Sequence, residues 1–133
     1  MTDLWPRGFE LPETKAPSAI LREQASLLAG KTRGAVVADV EILQSEESPD
    51  FEYAFLLRAP EIDYRHKLFV VRHALNLYPA SLVLDPALKK EIFDGKKEKV
   101  VASTESEFLI ILKKIFHSDR TKRVVASLLT QTK

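Results

Sequence analysis

The longest apolar run in the sequence, residues 65–85, constrains the fold more than any other feature. It reads RHKLFVVRHALNLYPASLVLD and is bounded by turn residues, a pattern typical of strands at the centre of a sheet. Such strands are covered on both faces, so we expect helices on both sides of it. Apolar residues alternate between the two faces of the run: Leu68, Val70 and Ala74 on one, and Phe69, Val71, Leu75 and Leu77 on the other.

The pair Tyr78-Pro79 interrupts this run, because proline has no N–H group to donate to a neighbouring strand. We therefore expect a bend or bulge at this point. Residues 81–84 then form either a short continuation of the strand or a fourth strand.

Two shorter segments precede the central run, residues 34–43 and residues 51–58. In each, apolar residues at every second position alternate with a set that holds the charged residues. This period of two is typical of half-buried strands. The polar sequence QSEESPD between them favours a loop, so we predict an antiparallel hairpin. The sequence APEID, residues 59–63, then turns the chain into the central run.

Helix signals flank the predicted strands. Pro17 and a stripe of apolar residues predict a first helix over residues 17–30, ended by Gly30, with the amide of Gln24 partly buried. Asp85-Pro86 and Asp94-Gly95 delimit a short helix over residues 86–93. Residues 96–103 carry a weak signal for an edge strand.

The clearest helix signal follows. Thr104 and Glu107 have the spacing of a capping box before the apolar sequence FLIILKKIF. Ser118-Asp119 then either caps a further helix or lies within a longer one.

These elements predict an α+β fold with a mainly antiparallel sheet of four or five strands, packed by an N-terminal helix and C-terminal helices. A chain of 133 residues with 45% hydrophobic content is the size of one domain. We expect a single domain over residues 1–133, with residues 1–15 as an extended arm and residues 16–133 as the globular core.

The amino-acid composition indicates the cellular environment of the protein. The chain has no cysteine, which excludes disulfides and thiolate metal sites and fits a reducing cytosol. No basic and apolar leader pattern begins the sequence, and no apolar run approaches about 20 residues. We expect a soluble, cytoplasmic protein with no membrane association.

Charge is distributed unevenly along the chain. Residues 1–85 hold 9 Lys and Arg against 13 Asp and Glu, a net charge of −4, whereas residues 86–133 hold 11 against 6, a net charge of +5. A basic third of this kind can attract nucleic acid, although interleaved acids favour ordinary solvated helix faces. The nucleic-acid candidates are Lys96, Lys97, Lys99, Lys113, Lys114, Arg120, Lys122 and Arg123.

A divalent cation site is one interpretation of the first hairpin, because Asp39 and Glu41 share a strand face and Glu52 can lie opposite. Cross-strand ion pairs are the favoured interpretation. The arginines available for them are Arg58, Arg65 and Arg72.

The predicted order of helix, three strands, short helix, strand and helix resembles the core of the restriction-endonuclease-like nucleases. Those enzymes hold magnesium with an acid on one strand and an acid-x-lysine triplet on the next. Here the residue two before Lys67 is Arg65. The missing acid leaves a metal-dependent hydrolase or nuclease as the least favoured alternative.

Three further observations concern sites. His66 and His73 are seven apart, which predicts opposite strand faces and no shared metal; His73 is interpreted as a hydrogen-bonded core residue. No nucleophile, phosphate-loop or dinucleotide motif is present, so no catalytic residue and no cofactor is predicted. The segment from Pro17 to Ile42, PSAILREQASLLAGKTRGAVVADVEI, resembles a small uncharacterised bacterial family whose members share a Pro-x-x-x-Leu-x-Glu-Gln-Ala helix before the first strand, and this resemblance implies no activity.

The arm contributes the remaining functional candidates, Trp5 and Phe9. Two large aromatic side chains in a segment that cannot form its own core need a surface to cover them. We expect that surface to be either the body of the protein or, preferentially, a second subunit in a homodimer. The sequence thus predicts a non-catalytic protein-interaction module of the bacterial cytosol, with Trp5 and Phe9 binding a partner.

Overall fold

A five-stranded antiparallel sheet with strand order β1-β2-β3-β4-β5 organises the chain. The computed structural model describes residues 1–44, 46–93 and 99–132, and within them it confirms the predicted α+β class. The elements are α1 (Pro17–Lys31), β1 (Val37–Leu43), β2 (Phe51–Ala59), a 3-10 turn (Pro60–Ile62), β3 (Tyr64–His73), β4 (Ala80–Leu84), α2 (Pro86–Phe93), β5 (Val100–Ala102), α3 (Glu105–Phe116) and α4 (Asp119–Gln131).

The helices cover one face of this sheet, which we call the inner face. Phe55 and Phe69 stack there with ring centroids 5.1 Å apart, and they share one buried cluster with Ile20 of α1 and with Phe108 and Ile115 of α3. Helix α4 lies against β2. The apolar stripes of α1 and α3 thus meet the alternating apolar positions of the strands, as their periods of 3.6 and 2 require.

The prediction that the central run is covered on both faces was wrong. Leu68 and Phe69 are both buried, although they are consecutive, because the register with β2 shifts between Phe55 and Leu56. Phe55 pairs with Phe69 but Leu56 pairs with Lys67, which leaves Leu68 as the extra residue of a β-bulge. Two apolar neighbours thereby enter one core, and the opposite face of β3 carries the exposed residues Arg65, Lys67 and Arg72 together with the half-buried Val70.

Because of this bulge, the prediction that the two histidines lie on opposite strand faces was wrong. His66 pairs with Leu57, and His73 pairs with Phe51, so both histidines lie on the inner face rather than on opposite faces. About seven residues of strand separate them by roughly 20 Å. They are therefore too far apart to share a metal, as predicted, but for a different reason.

The end of the central run leaves the sheet. Strand β3 ends at His73, and Leu75 is exposed, so the predicted inclusion of Ala74, Leu75 and Leu77 in the strand was wrong. The predicted break at Pro79 is confirmed: the Tyr78-Pro79 peptide bond is cis, and the next residues form a separate strand, β4.

The local sequence signals predicted the bounds of the helices closely. Thr104 caps α3 by accepting a hydrogen bond from the Glu107 N–H, and Ser118 caps α4 as a separate helix. Helix α1 ends one residue beyond Gly30. The left-handed closing glycine is Gly34, with a φ of 79°, whose N–H donates to the carbonyl of Ala29.

The short strand predicted within residues 96–103 is confirmed as β5, at the edge of the sheet. The predicted helix stop at Asp94-Gly95 and the candidates Lys96 and Lys97 lie outside the described residues. None of the helices described is long and apolar enough to cross a bilayer.

Candidate functional site: an apolar groove between three helices

An open groove with a volume of about 750 Å³ lies over β2, between α1 on one side and α3 and α4 on the other. We call it the helical groove. Phe55 and Leu57 of β2 line its base. The volume lies within the range of about 300–1,000 Å³ that is usual for ligand and peptide pockets.

Helix α1 supplies the first wall, through Leu27 and Leu28. Both belong to the apolar stripe that predicted burial, yet Leu27 is 54% exposed and Leu28 is half-buried. Gln24, which the sequence predicts to be partly buried, is half-buried and lines the same wall. The C-terminal half of α1 thus presents apolar surface that the protein itself leaves uncovered.

Helices α3 and α4 supply the second wall. Leu109 is 43% exposed and lies at its edge, whereas Leu112 is buried and lies deeper. Val125 and Leu129 of α4 are half-buried along it. The walls are therefore mostly leucine, valine and phenylalanine, which can bury apolar surface of a partner at about 25 cal/mol per Å².

Positive charge surrounds this apolar surface. Lys31 of α1, Lys113 of α3 and Lys122 of α4 line the groove, together with His117. Among the described residues that line it, there is no aspartate or glutamate. The electrostatic field of the groove therefore favours an occupant that carries carboxylates.

Two carboxylates fix the position of α4. Glu91 of α2 accepts hydrogen bonds from the backbone N–H groups of Asp119 and Arg120, both at 2.8 Å. Asp85 accepts from the Arg120 Nε at 2.8 Å and contacts the His66 Nε2 at 3.1 Å. These bonds tie the first turn of α4 to α2 and to β3, and so hold one wall of the groove in place.

Asp85 also caps α2, because its Oδ1 accepts from the Ala87 N–H at 3.0 Å. Burial acts to raise the pKa of the Asp85 carboxyl. The hydrogen bonds from Arg120, Ala87 and His66, with the positive charge of Arg120, outweigh burial and lower this pKa below its ordinary value. The carboxylate is therefore ionised throughout the neutral range, and its contacts are those of a structural anion.

The predicted nucleic-acid candidates within the described residues make different contacts in the structure. Lys113 and Lys122 line the groove, Lys114 lies 5.9 Å over the ring of Phe93, and Arg120 pairs with Asp85. Lys99 and Arg123 are exposed. The candidates on helices are thus divided between α3 and α4, whereas Lys99 precedes β5.

The predicted cross-strand ion pairs are confirmed on the outer face of the sheet. Asp39 pairs with Arg58 at 2.6 Å and Glu41 pairs with Arg65 at 2.5 Å. Glu52 pairs with Arg72. Each acid of the candidate cation site is thus matched by an arginine, and the described residues contain no group of three or more potential metal ligands.

His73 is a core histidine, as predicted. It is buried, its ring stacks on Phe51 and Tyr53, and its Nδ1 lies 2.7 Å from the carbonyl oxygen of Ala74. Its Nε2 is buried with no hydrogen-bond partner among the residues described. His117, the third histidine, is exposed at the end of α3.

The arm does not lie on the body of the protein. Trp5 and Phe9 are each 74% exposed, so the alternative in which the subunit's own body covers them is not observed. Their rings are neighbours, with centroids 6.0 Å apart. The arm joins the body at Lys15, whose N–H donates to Glu105 and whose carbonyl accepts from the Tyr78 hydroxyl.

Comparisons of this chain with protein-family models, with curated proteins and with solved structures found no match. The groove itself was not predicted from the sequence. The adjacent residues Leu27 and Leu28 are a sequence signal for it. They widen the apolar stripe of α1, and a wide stripe can contact both the core and a second surface.

Proposed function

We propose that this protein is a non-catalytic protein-interaction module whose helical groove binds an apolar, acidic segment of a polypeptide. The observation that carries the proposal is the open apolar wall formed by Leu27 and Leu109 beneath a lysine rim. Grooves of this kind between helices bind amphipathic segments through several apolar anchors.

The exposure of the walls favours a polypeptide over a small molecule. Pockets for small ligands enclose about 70–90% of the ligand surface. Here a leucine on each side of the groove is about half exposed, which leaves the groove open to a segment longer than itself. Lysine positions on all three helices then suit carboxylates spaced along such a segment.

The buried hydroxyl of Thr121, which lines the groove, has a structural role. The Thr121 hydroxyl donates to the carbonyl of Ile115 at 2.7 Å and accepts from the Ser118 hydroxyl at 3.0 Å. It is therefore occupied in holding the corner between α3 and α4. The outer face of the sheet, by contrast, offers a partner little free charge, because its acids are paired with arginines.

A peptide library displayed against the immobilised full-length protein tests this proposal. We expect selected peptides to combine large apolar residues with Asp or Glu. Their affinity, measured by fluorescence anisotropy, should fall at least tenfold in Leu109→Glu, which places a carboxylate on the apolar wall. Ile110→Glu is the matched control, because Ile110 is 58% exposed on the same helix but does not line the groove.

Two outcomes would contradict the proposal: selected peptides that bind Leu109→Glu and wild type equally, or a library that yields no binder. The nucleic-acid alternative is measured in parallel with labelled duplex and single-stranded DNA and RNA at two salt concentrations. Nucleic-acid binding that weakens steeply with salt, and that is lost in Lys114→Glu and Arg123→Glu, would replace the groove as the functional surface.

A further inference from the structure

We infer that the segment that fills the helical groove is the N-terminal arm of a second copy of this chain, so that two copies exchange arms. The inference rests on the proposed function, since it names the occupant of the same groove. The arm has the required apolar side chains, and each is largely uncovered in its own subunit. They are Leu4, Trp5, Phe9 and Leu11.

The two aromatic rings give the arm a single apolar side. Trp5 and Phe9 are four residues apart, yet their rings approach to 6.0 Å at an interplanar angle of 58°, a tilted arrangement that aromatic pairs favour. They form one paired anchor. A paired anchor of this size suits a wide groove with apolar residues on both walls, since each ring can contact a different wall.

The charges of the arm complement those of the groove. Ahead of Lys15, the arm carries the carboxylates of Asp3, Glu10 and Glu13 and the guanidinium of Arg7, a side-chain net charge of −2. The groove carries lysines from three helices and no carboxylate among its described lining residues. Apolar anchors with flanking acids are the chemistry that the groove selects.

The position of Lys15 favours exchange over docking within one subunit. Lys15 is held beside Glu105 and Tyr78, at the beginnings of α1 and α3, whereas the groove begins at Gln24 and Leu109, further along both helices. Burial, with a contribution from Glu105, raises the pKa of Tyr78 to about 12, so its phenol remains a donor at neutral pH.

To enter its own groove, the arm would have to reverse direction ahead of Lys15, because Ala16 itself is extended. Ala16 precedes Pro17, and a residue before proline is restricted to extended conformations; its observed ψ is 148°. An arm that continues outward instead spans up to about 3.3–3.6 Å per residue. The nine residues between Lys15 and Trp5 are thus enough to reach a neighbouring subunit.

The area that exchange buries suits a stable dimer. Each aromatic side chain can bury roughly 150–250 Å², so two exchanged arms bury on the order of 600–1,000 Å² of aromatic surface. The grooves lose a somewhat smaller area. The total is then roughly 1,100–1,500 Å², at the lower end of the usual size of a specific interface, and reciprocal exchange closes the assembly by a two-fold axis.

Sedimentation velocity of the full-length chain at micromolar concentration is the first test. We expect twice the 15.1 kDa mass of one chain. Both Trp5→Ala/Phe9→Ala and Leu109→Glu should raise the dimer dissociation constant at least tenfold, while Ile110→Glu should not change it. A monomeric wild type, or a dimer that is insensitive to both variants, would overturn the inference.

Intrinsic fluorescence separates exchange from docking within one subunit, because Trp5 is the only tryptophan in the sequence. Exchange predicts that the Trp5 emission shifts to the blue as protein concentration rises through the dimer dissociation constant, and that Leu109→Glu abolishes the shift. A blue shift that is independent of concentration would show docking within one subunit and would overturn the inference.

A synthetic peptide of residues 1–14 distinguishes failure of this inference from failure of the proposed function. We expect it to bind the full-length Trp5→Ala/Phe9→Ala variant, whose groove is empty, and to bind the further Leu109→Glu variant at least tenfold more weakly. If library peptides bind the groove and the arm peptide does not, the arm is not the occupant although the proposed function stands. If neither binds, both fail.

Discussion

Asp85 shows how much of this fold depends on one side chain. Its carboxylate caps α2, contacts His66 of β3 and binds Arg120 of α4, and only 7% of the side chain is exposed. Charged hydrogen bonds of this kind contribute about 1.5–3 kcal/mol, more than exposed ion pairs do. Asp85 therefore connects the sheet to both helices that follow it.

We predict that Asp85→Asn lowers the free energy of unfolding by about 2–3 kcal/mol at neutral pH. The pKa of Asp85 is lowered in the folded protein, so its stabilisation is complete above the ordinary value of 3.8 and is lost as pH falls through the folded value. Urea unfolding at a series of pH values measures both effects.

The difference in stability between wild type and Asp85→Asn should therefore shrink in the acid range. Asp39→Asn is the control, because Asp39 belongs to an exposed ion pair and such pairs contribute about 0–1 kcal/mol. A difference between wild type and Asp85→Asn that stays constant down to the lowest pH would contradict the assignment of this stabilisation to the ionised carboxylate.

At the scale of secondary-structure elements, the corner between α3 and α4 determines the shape of the groove. Ser118 is buried there, and its hydroxyl contacts the carbonyl of Ile115, the hydroxyl of Thr121 and the N–H of Thr121. This network ends one helix and begins the next within two residues. It thereby directs α4 back across β2, where it forms a wall of the groove.

We predict that Ser118→Ala destabilises the protein more than Thr104→Ala does. Thr104 is an exposed cap, whose loss costs about 1 kcal/mol. Loss of Ser118 also leaves buried polar groups short of a partner, at about 1–3 kcal/mol. Thermal or chemical unfolding of both variants measures the order, and an equal loss would show that the corner network adds nothing to ordinary capping.

Local signals explain why most elements were predicted from the sequence. Pro17, the Asp85-Pro86 pair and the Thr104 capping box each act within one turn of chain, and the structure places a helix at each. The predicted end of α1 was one residue too early, because several backbone conformations can end a helix. Here Arg33 and Gly34, both at positive φ, end α1 beyond Gly30.

Two features that depend on partners distant in sequence, the bulge and the groove, were not predicted. The bulge at Leu68 is set by the pairing of β3 with β2, and no local pattern in β3 reveals it. The groove depends on how far α1 diverges from α3 and α4, so Leu27 has the periodicity of a core residue but is half exposed. Periodicity identifies an apolar face, and only packing decides what covers it.

At the scale of the whole molecule, the structure shows where the unevenly distributed charges of the chain lie. The sequence alone divides into an acidic first part and a basic last part. In the structure, acids on the outer face of the sheet form ion pairs with arginines of the same sheet. In the exchange inferred above, the acids of the arm face the lysine rim of a second copy, so that one chain carries both halves of a complementary interface.

We predict that Lys113→Glu and Lys122→Glu each weaken self-association severalfold, because both lysines line the groove. Their neighbours supply matched controls: Lys114→Glu and Arg123→Glu change the net charge equally but lie outside the described lining. Raising the salt concentration should weaken association only modestly, since screening affects the rim while apolar burial by the aromatic anchors is retained.

A charge exchange completes this test. An arm variant, Glu10→Lys/Glu13→Lys, should dimerise poorly with itself, as should the groove variant Lys113→Glu/Lys122→Glu. Mixed together, the two place the lysines of one arm on the glutamates of the other groove, so this arm–groove contact of the heterodimer regains opposite charges, while the second contact pairs a wild-type arm with a wild-type groove. Sedimentation of the mixture should therefore show association stronger than for the arm variant paired with wild type in a two-variant cycle. Additive effects of the two changes would place the acids of the arm away from the lysine rim.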